Sequence, residues 1–186
     1  KKIIVYHGQV DPGRDLETLV KSLQFLASDV HIAIISSSRH GYVEKLELIA
    51  KGLDKTGDEI SSRLHILPFV PAQRLPAFLS TADIAVVPQL ETENHRIAMP
   101  NKLFESVQAG LPILVSDVGA AASYVIEKKI GSVFKSGSPE DLALSASSLI
   151  QNVEKVHQNF SKELLTETTW EFQSEKLLAV YKKALG

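Results

Sequence analysis

Short apolar runs recur along the chain at residues 3–6, 31–35, 64–69, 84–87, 113–115 and 131–134. Several are continuous instead of alternating, which is the pattern of strands covered on both faces by helices. Between them, apolar positions return at helical spacing. Leu16, Leu19, Val20, Leu23 and Leu26 mark a first helix, and Val43, Leu46, Leu48 and Ile49 a second. Leu75, Phe78 and Leu79 form a short third helix, while Leu103, Phe104 and Val107 line one face of a fourth. Strand–helix alternation of this kind gives βαβ units with right-handed crossovers. The pattern therefore predicts a doubly wound, three-layer α/β/α domain with about six parallel strands, followed by C-terminal helices. Ser138, Pro139, Glu140 and Asp141 open the first of these, as cap, first-turn proline and two acids at the positive end. Leu142, Leu144, Leu149 and Ile150 carry it. Two more helices are expected around 153–165 and 170–185. The last presents Trp170, Phe172, Leu177, Leu178 and Tyr181 on one face, a stripe expected to pack on this domain or on a partner domain.

Composition narrows the field. The 186 residues suit one well-buried core and are read as a single domain over 1–186. Lys and Arg number 20 against 22 Asp and Glu, a formal charge of -2, which leaves no bulk field for nucleic acid. Cysteine is absent, removing disulfide, thiolate and Cys-zinc chemistry. His7, His31, His40, His65, His95 and His157 form no HExxH or other close metal spacing, so no protein-held metal is expected. No apolar run has the length of a membrane helix. The chain opens directly in a core strand, as expected of one domain from a longer polypeptide.

Ligands of an open parallel sheet bind off the carboxyl ends of the strands. Four loops there deserve chemistry. The first, after strand one, runs His7-Gly8-Gln9-Val10-Asp11-Pro12-Gly13-Arg14-Asp15. Arg14 can grip a phosphate bidentately beside free amides, or simply pair with Asp11 or Glu17. The second, Ser36-Ser37-Ser38-Arg39-His40-Gly41, offers hydroxyls and a basic pair, or only a solvated loop. It lacks the strand-end acid of a dinucleotide dehydrogenase. The third, Pro68-Phe69-Val70-Pro71, is a stiff apolar wall suited to a flat base or to an ordinary strand exit. The fourth follows residues 84–87 and ends in Pro100-Asn101-Lys102-Leu103-Phe104-Glu105. Asn101 is expected to cap a helix whose amino end offers amides to a diphosphate. Glu105, one turn in, can accept two ribose hydroxyls, or pair with Lys102 at i,i+3.

Taken in order, these segments resemble the carboxyl-terminal, donor-binding domain of GT-B glycosyltransferases, specifically the retaining group called family 4. The resemblance rests on Tyr6-His7-Gly8 followed by Arg14-Asp15-Leu16-Glu17-Thr18-Leu19; Ala82-Asp83-Ile84-Ala85-Val86-Val87-Pro88; Pro100-Asn101-Lys102-Leu103-Phe104-Glu105; Ala109-Gly110-Leu111-Pro112-Ile113-Leu114; Gly131-Ser132-Val133-Phe134; and Thr169-Trp170 with the closing helix. It implies a Rossmann-like domain that holds a nucleotide-diphosphate sugar, UDP-, GDP- or ADP-linked, as donor substrate with no tightly bound cofactor. It further implies an N-terminal acceptor-binding domain as partner and a glycan or lipid-linked acceptor. The setting would be cytoplasmic, in capsule, lipopolysaccharide or other glycan synthesis, with contact at the inner membrane face through the other domain. By position, Glu105 resembles the ribose-binding glutamate and Arg14 the basic residue on the diphosphate. With Lys102 these form the implied catalytic set. Gly8, Gln9, Phe69, Asn94, His95, Asn101 and Leu103 join them in the implied donor site.

Two positions depart from the family pattern. Gln9 stands where a second basic residue is usual, leaving Lys102, Arg39 or Arg96 to compensate. Ile97 stands where a glutamate usually contacts the donor sugar, leaving that role to Glu91, Glu93, Asn94 or His95. A sugar-nucleotide 2-epimerase half, or a non-catalytic module with a degenerate site, are the competing readings.

Overall fold

The computed structural model describes residues 1–36 and 41–185. Its strands are β1 (Lys2–His7), β2 (Val30–Ser36), β3 (Leu64–Pro68), β4 (Ile84–Val87), β5 (Ile113–Ser116) and β6 (Gly131–Phe134). They form one parallel six-stranded sheet in the order β3-β2-β1-β4-β5-β6. Each lies within a residue of its apolar run, because β2, β4 and β5 are buried along their whole length. Helices α1 (Leu16–Lys21), α2 (Gly41–Gly52), α3 (Leu75–Leu79), α4 (Glu93–Ile97), α5 (Asn101–Gln108) and α6 (Gly119–Lys128) join the strands. Then follow α7 (Pro139–Gln151), α8 (Val153–His157), α9 (Lys162–Glu167) and α10 (Trp170–Leu185). The expected Rossmann-like α/β/α fold with C-terminal helices is thus present.

Apolar layers cover both faces of the sheet. Ile4, Tyr6, Ile32, Ile34 and Ile84 face α1, α2 and α7 through Leu16, Leu19, Leu46 and Leu142. On the other side, Val5, Ala33, Ile35 and Ala85 meet Leu75 and Leu79 of α3, while Val87, Ile113 and Val115 meet Leu103, Val107 and Val125. Ser138 caps α7 as expected, accepting from the Asp141 amide.

Several local expectations are corrected. The segment 93–97 is a short helix, begun by Thr92, whose hydroxyl accepts from the His95 amide. The residues 119–128, left unassigned by apolar periodicity, form α6, whose inner face is Ala121, Ala122 and Val125. Leu48 is exposed, so the second helix buries Val43 and Leu46 instead. Of the two surfaces expected to cover the stripe of α10, this domain covers little: none of the helix is fully buried, and Trp170 is 70% exposed. No helix among the described residues is long and apolar enough to cross a membrane.

Strand order reverses direction between β1 and β4, so the loops after these two strands diverge and open a cleft above the sheet.

Candidate functional site

The cleft is floored by the end of β1. Gly8 takes φ 115, a backbone state that a side chain resists, and its amide returns to the Ile35 carbonyl at 3.1 Å. A Cβ there would touch the Lys102 side chain at 3.5 Å. Beyond Gly8 the chain makes a 3-10 turn, Pro12–Arg14, capped by Asp11, whose carboxylate accepts from the Gly13 amide. The same carboxylate holds the Arg14 guanidinium at 3.3 Å. Arg14 therefore precedes α1, and its acid is Asp11. Glu17 is taken by Lys45 at 2.6 Å. Asp15 faces away, accepting from the Gly137 amide at 3.0 Å, and burial pushes its carboxyl up from the ordinary range.

On the other side of the cleft, α5 starts at Asn101. Pro100 occupies the cap position and Asn101 is the first helical residue, without a capping bond, because the chain enters the helix in extended backbone at Pro100. Lys102 reaches back under Gly8 to Tyr6. Its Nζ lies 2.6 Å from the phenolic oxygen and 3.9 Å from the ring centroid. Burial, aided by Arg14, pulls the Lys102 ammonium down to about 7. Tyr6 donates in turn to the Gln9 carbonyl. Glu105 receives a hydrogen bond from His7 Nε2 at 2.9 Å. That bond holds the Glu105 carboxyl below its usual range. The i,i+3 pair of Lys102 and Glu105 does not form: each reaches separately to β1. Leu103 is fully buried in the core, with its amide on the Pro100 carbonyl, so its side chain belongs to packing and not to the cleft.

Glu105 borders three cavities: two above the sheet, and a third of about 450 Å³ against Phe104 and Trp170. The first, about 540 Å³, lies between His7, Gly8, Gln9, Phe69, Val70, Leu75 and Glu105. Phe69 stands just past β3, 62% exposed, as a wall of this cavity. The second, about 410 Å³, is lined by Gly8, Gln9, Arg14, Gln89, Asn94, His95, Met99, Asn101, Lys102 and Glu105. Nine of the ten residues proposed from sequence thus face one cleft, Leu103 being the exception. Of the four substitutes for the sugar-contacting glutamate, Asn94 and His95 line the second cavity, whereas Glu91 pairs with exposed Arg96 at 2.8 Å. Ile97 is 80% exposed. Ser37, Ser38, Arg39 and His40 lie outside the described residues.

Comparison with known proteins bears on the family and the fold. The family model for group 1 glycosyl transferases matches residues 1–152. The chain belongs to that family. Spore coat protein SA of Bacillus subtilis (strain 168) is 24% identical over 190 residues, covering 98% of this chain and 49% of the relative. Sucrose-phosphate synthase from Thermosynechococcus elongatus superposes with TM-score 0.84 at 16% identity, over all of this chain and 46% of that structure. HepE of Anabaena, solved in complex with UDP and glucose, superposes with TM-score 0.79 at 16% identity, over 98% of this chain and 47% of that one. At such identities the structural likenesses speak for the fold. The chain spans about half the length of each of these proteins.

Within this group 1 glycosyltransferase chain, three residues that sequence reasoning passed over now matter. Tyr6 and His7 orient Lys102 and Glu105 across 96 and 98 residues of sequence, a pairing with no local signal. Gln89, directly after β4, is 2% exposed and lines the second cavity. Conversely, Asp83 of the quoted 82–88 segment is structural. It sits at the amino end of β4, where its carboxylate accepts from Lys2 at 2.9 Å and from the Ile3 amide at 2.8 Å.

Proposed function

We propose that this chain is the donor half of a two-domain glycosyltransferase, moving a sugar from a nucleoside diphosphate to a hydroxyl of a glycan or lipid-linked acceptor held by the other half. One observation carries the reading: Glu105, aimed by His7, lines both cavities above the sheet at their junction. A carboxylate there suits the ribose, which joins base to diphosphate. The base then lies against Phe69 and Val70 in the first cavity. The diphosphate lies between Gly8, Arg14, Lys102 and the amides of Asn101 and Lys102, the Leu103 amide being held by the Pro100 carbonyl.

In transfer, the bond from the anomeric carbon to the diphosphate oxygen breaks and a bond to the acceptor oxygen forms, releasing the acceptor proton and the nucleoside diphosphate. Charge grows on the leaving oxygens. Arg14 and Lys102 are the described cations placed to meet it, and one well-placed donor of this kind is worth roughly 3–4 kcal/mol of transition-state stabilisation. Glu105 serves binding and orientation, since a ribose ligand is remote from the anomeric carbon.

Calorimetric titration with UDP, GDP and ADP tests the reading; UDP comes first because HepE was solved with it. One nucleotide is expected to saturate, and Glu105→Ala to weaken it at least tenfold, as loss of hydrogen bonds to a charged group requires. Silence from all three at millimolar concentration would sink the proposal.

A further inference from the structure

The loop after β6 presents three consecutive backbone amides to three carboxylates. Lys135 donates to Asp141 of α7 at 2.6 Å, Ser136 to Asp117 after β5 at 2.8 Å, and Gly137 to Asp15 before α1 at 3.0 Å. The Ser136 hydroxyl adds a bond to the Gln89 carbonyl, after β4, at 2.9 Å. One short loop thereby holds the segments that follow β1, β4 and β5 at the cleft end of the sheet.

Asp15 is the member of this set with a strained backbone. It is 5% exposed and takes φ 52, ψ 31, one of two non-glycine residues at positive φ among the described ones. A side chain resists that state, and surrounding contacts must hold it there. An aspartate just before a helix ordinarily caps it. Asp15 makes no capping bond to α1; its carboxylate reaches 122 residues along the chain to Gly137, with the Thr18 hydroxyl also bonding to it. The acid therefore ties one loop to another.

Arg14 is the residue before it. Its guanidinium borders the second cavity and pairs with Asp11 at 3.3 Å, and the side chain is 28% exposed. A long side chain with so little support is placed by its own backbone. Residues 14 and 15 are where the 3-10 turn hands over to α1, and the bond from Gly137 fixes that point.

Resting on the donor reading above, we infer that Asp15 is a positioning residue for Arg14: by clasping the Gly137 amide it fixes the backbone from which Arg14 meets the leaving diphosphate. Asp15 itself borders neither cavity above the sheet. The loop after β6 thus takes part in donor binding from outside the cleft.

Calorimetric titration of this chain with UDP, GDP and ADP tests it, each variant being checked for folding by its melting curve. Asp15→Gly accepts the left-handed backbone and removes the carboxylate; it is expected to bind the saturating nucleotide about tenfold more weakly than wild type. Asp15→Asn accepts the same backbone and keeps an acceptor oxygen, so it should bind within about threefold of wild type. In an Arg14→Ala background, Asp15→Gly should cost less than about a further twofold, because the residue through which it acts is gone. Asp15→Ser, one bond too short for the clasp, replaces the glycine variant if that melts before it can be titrated. Wild-type affinity in the folded clasp-free variant, or a loss that multiplies in full with that of Arg14→Ala, overturns the inference and leaves the donor reading standing. So does a loss in Asp15→Asn equal to that in Asp15→Gly, since charge and not the clasp would then be at work. If the wild type binds no nucleotide, the donor reading fails and takes this inference with it.

Discussion

The two ends of the sheet are built by opposite rules. At the amino end, Arg63, only 7% exposed, gives its guanidinium to the carbonyls of Leu23, Leu26, Ala27 and Val30, with contacts from 2.5 to 3.5 Å. The guanidinium ties the turn after α1 to the first residue of β2, adding to the Val30 amide bond on the Ala27 carbonyl at 3.0 Å. Asp83 similarly collects Lys2 and the Ile3 amide. At the carboxyl end, a lysine is buried on a tyrosine without a carboxylate partner, a glutamine carbonyl is orphaned, and Phe69 stands in solvent. Each such group costs the folded state something, of order 1–3 kcal/mol for an unmet buried polar atom. Polar groups at the first end serve the fold; at the second they are the groups that the donor reading uses.

Three substitutions test that contrast. Removing the guanidinium in Arg63→Ala takes a donor from four carbonyls, and we expect a loss of about 3 kcal/mol in denaturant unfolding, with nucleotide affinity of the remaining folded protein unchanged. Weakened affinity would show that the amino end is not purely structural. Gly119→Ala combines a φ of 56 with a Cβ that would collide with the Arg96 backbone, and we expect a smaller loss, about 2 kcal/mol. Affinity for free nucleoside diphosphate should be unchanged, because none of Gly8, Arg14 and Lys102 lies on α4 or α6.

The smallest stability change should have the opposite sign. Lys102→Met removes a buried ammonium, and we expect a gain of about 1 kcal/mol at pH 7, read as a rise in melting temperature, together with a tenfold or greater loss of nucleotide affinity. The pH dependence follows. Lys102 in the folded chain titrates near 7, below its unfolded value of 10.5, so between these the unfolded chain binds more protons. Stability from this group therefore rises with pH through that window, and the rise should vanish in the methionine variant. A bound diphosphate restores the charge, so binding takes up a proton and affinity falls as pH climbs above about 7. Calorimetry in buffers of different ionisation enthalpy counts that proton; no uptake would mean that Lys102 stays clear of the phosphate.

How much of this the residues disclose depends on distance along the chain. The strands were legible because continuous Val, Ile and Leu runs are what double-sided burial selects. Helix α6 was not, since its inner face is built from alanines too small to create periodicity. Arg14 was singled out because it follows a strand end, and Glu105 because it stands one turn into the helix opened by Pro100 and Asn101. His7 was passed over because its partner lies 98 residues away. Gln89 was passed over for another reason: nothing in a glutamine's neighbours tells that its carbonyl will be buried without a mate. The stripe on α10 was read correctly as apolar, but which surface covers it depends on packing, and this domain covers little of it.

The junction of β1 with β4 has a mechanical consequence. Its ladder registers only at Ile4 with Ile84 and Val5 with Ala85, extended by the Asp83 amide on the Ile3 carbonyl. It is a seam between two three-stranded panels, and the cleft straddles its upper edge. Lys102 on Tyr6 and Glu105 on His7 are stitches across that edge. Both stitches border the cleft, and His7 engages one carboxylate oxygen of Glu105, so a ligand meeting Lys102 and the other oxygen would bear on both panels at once.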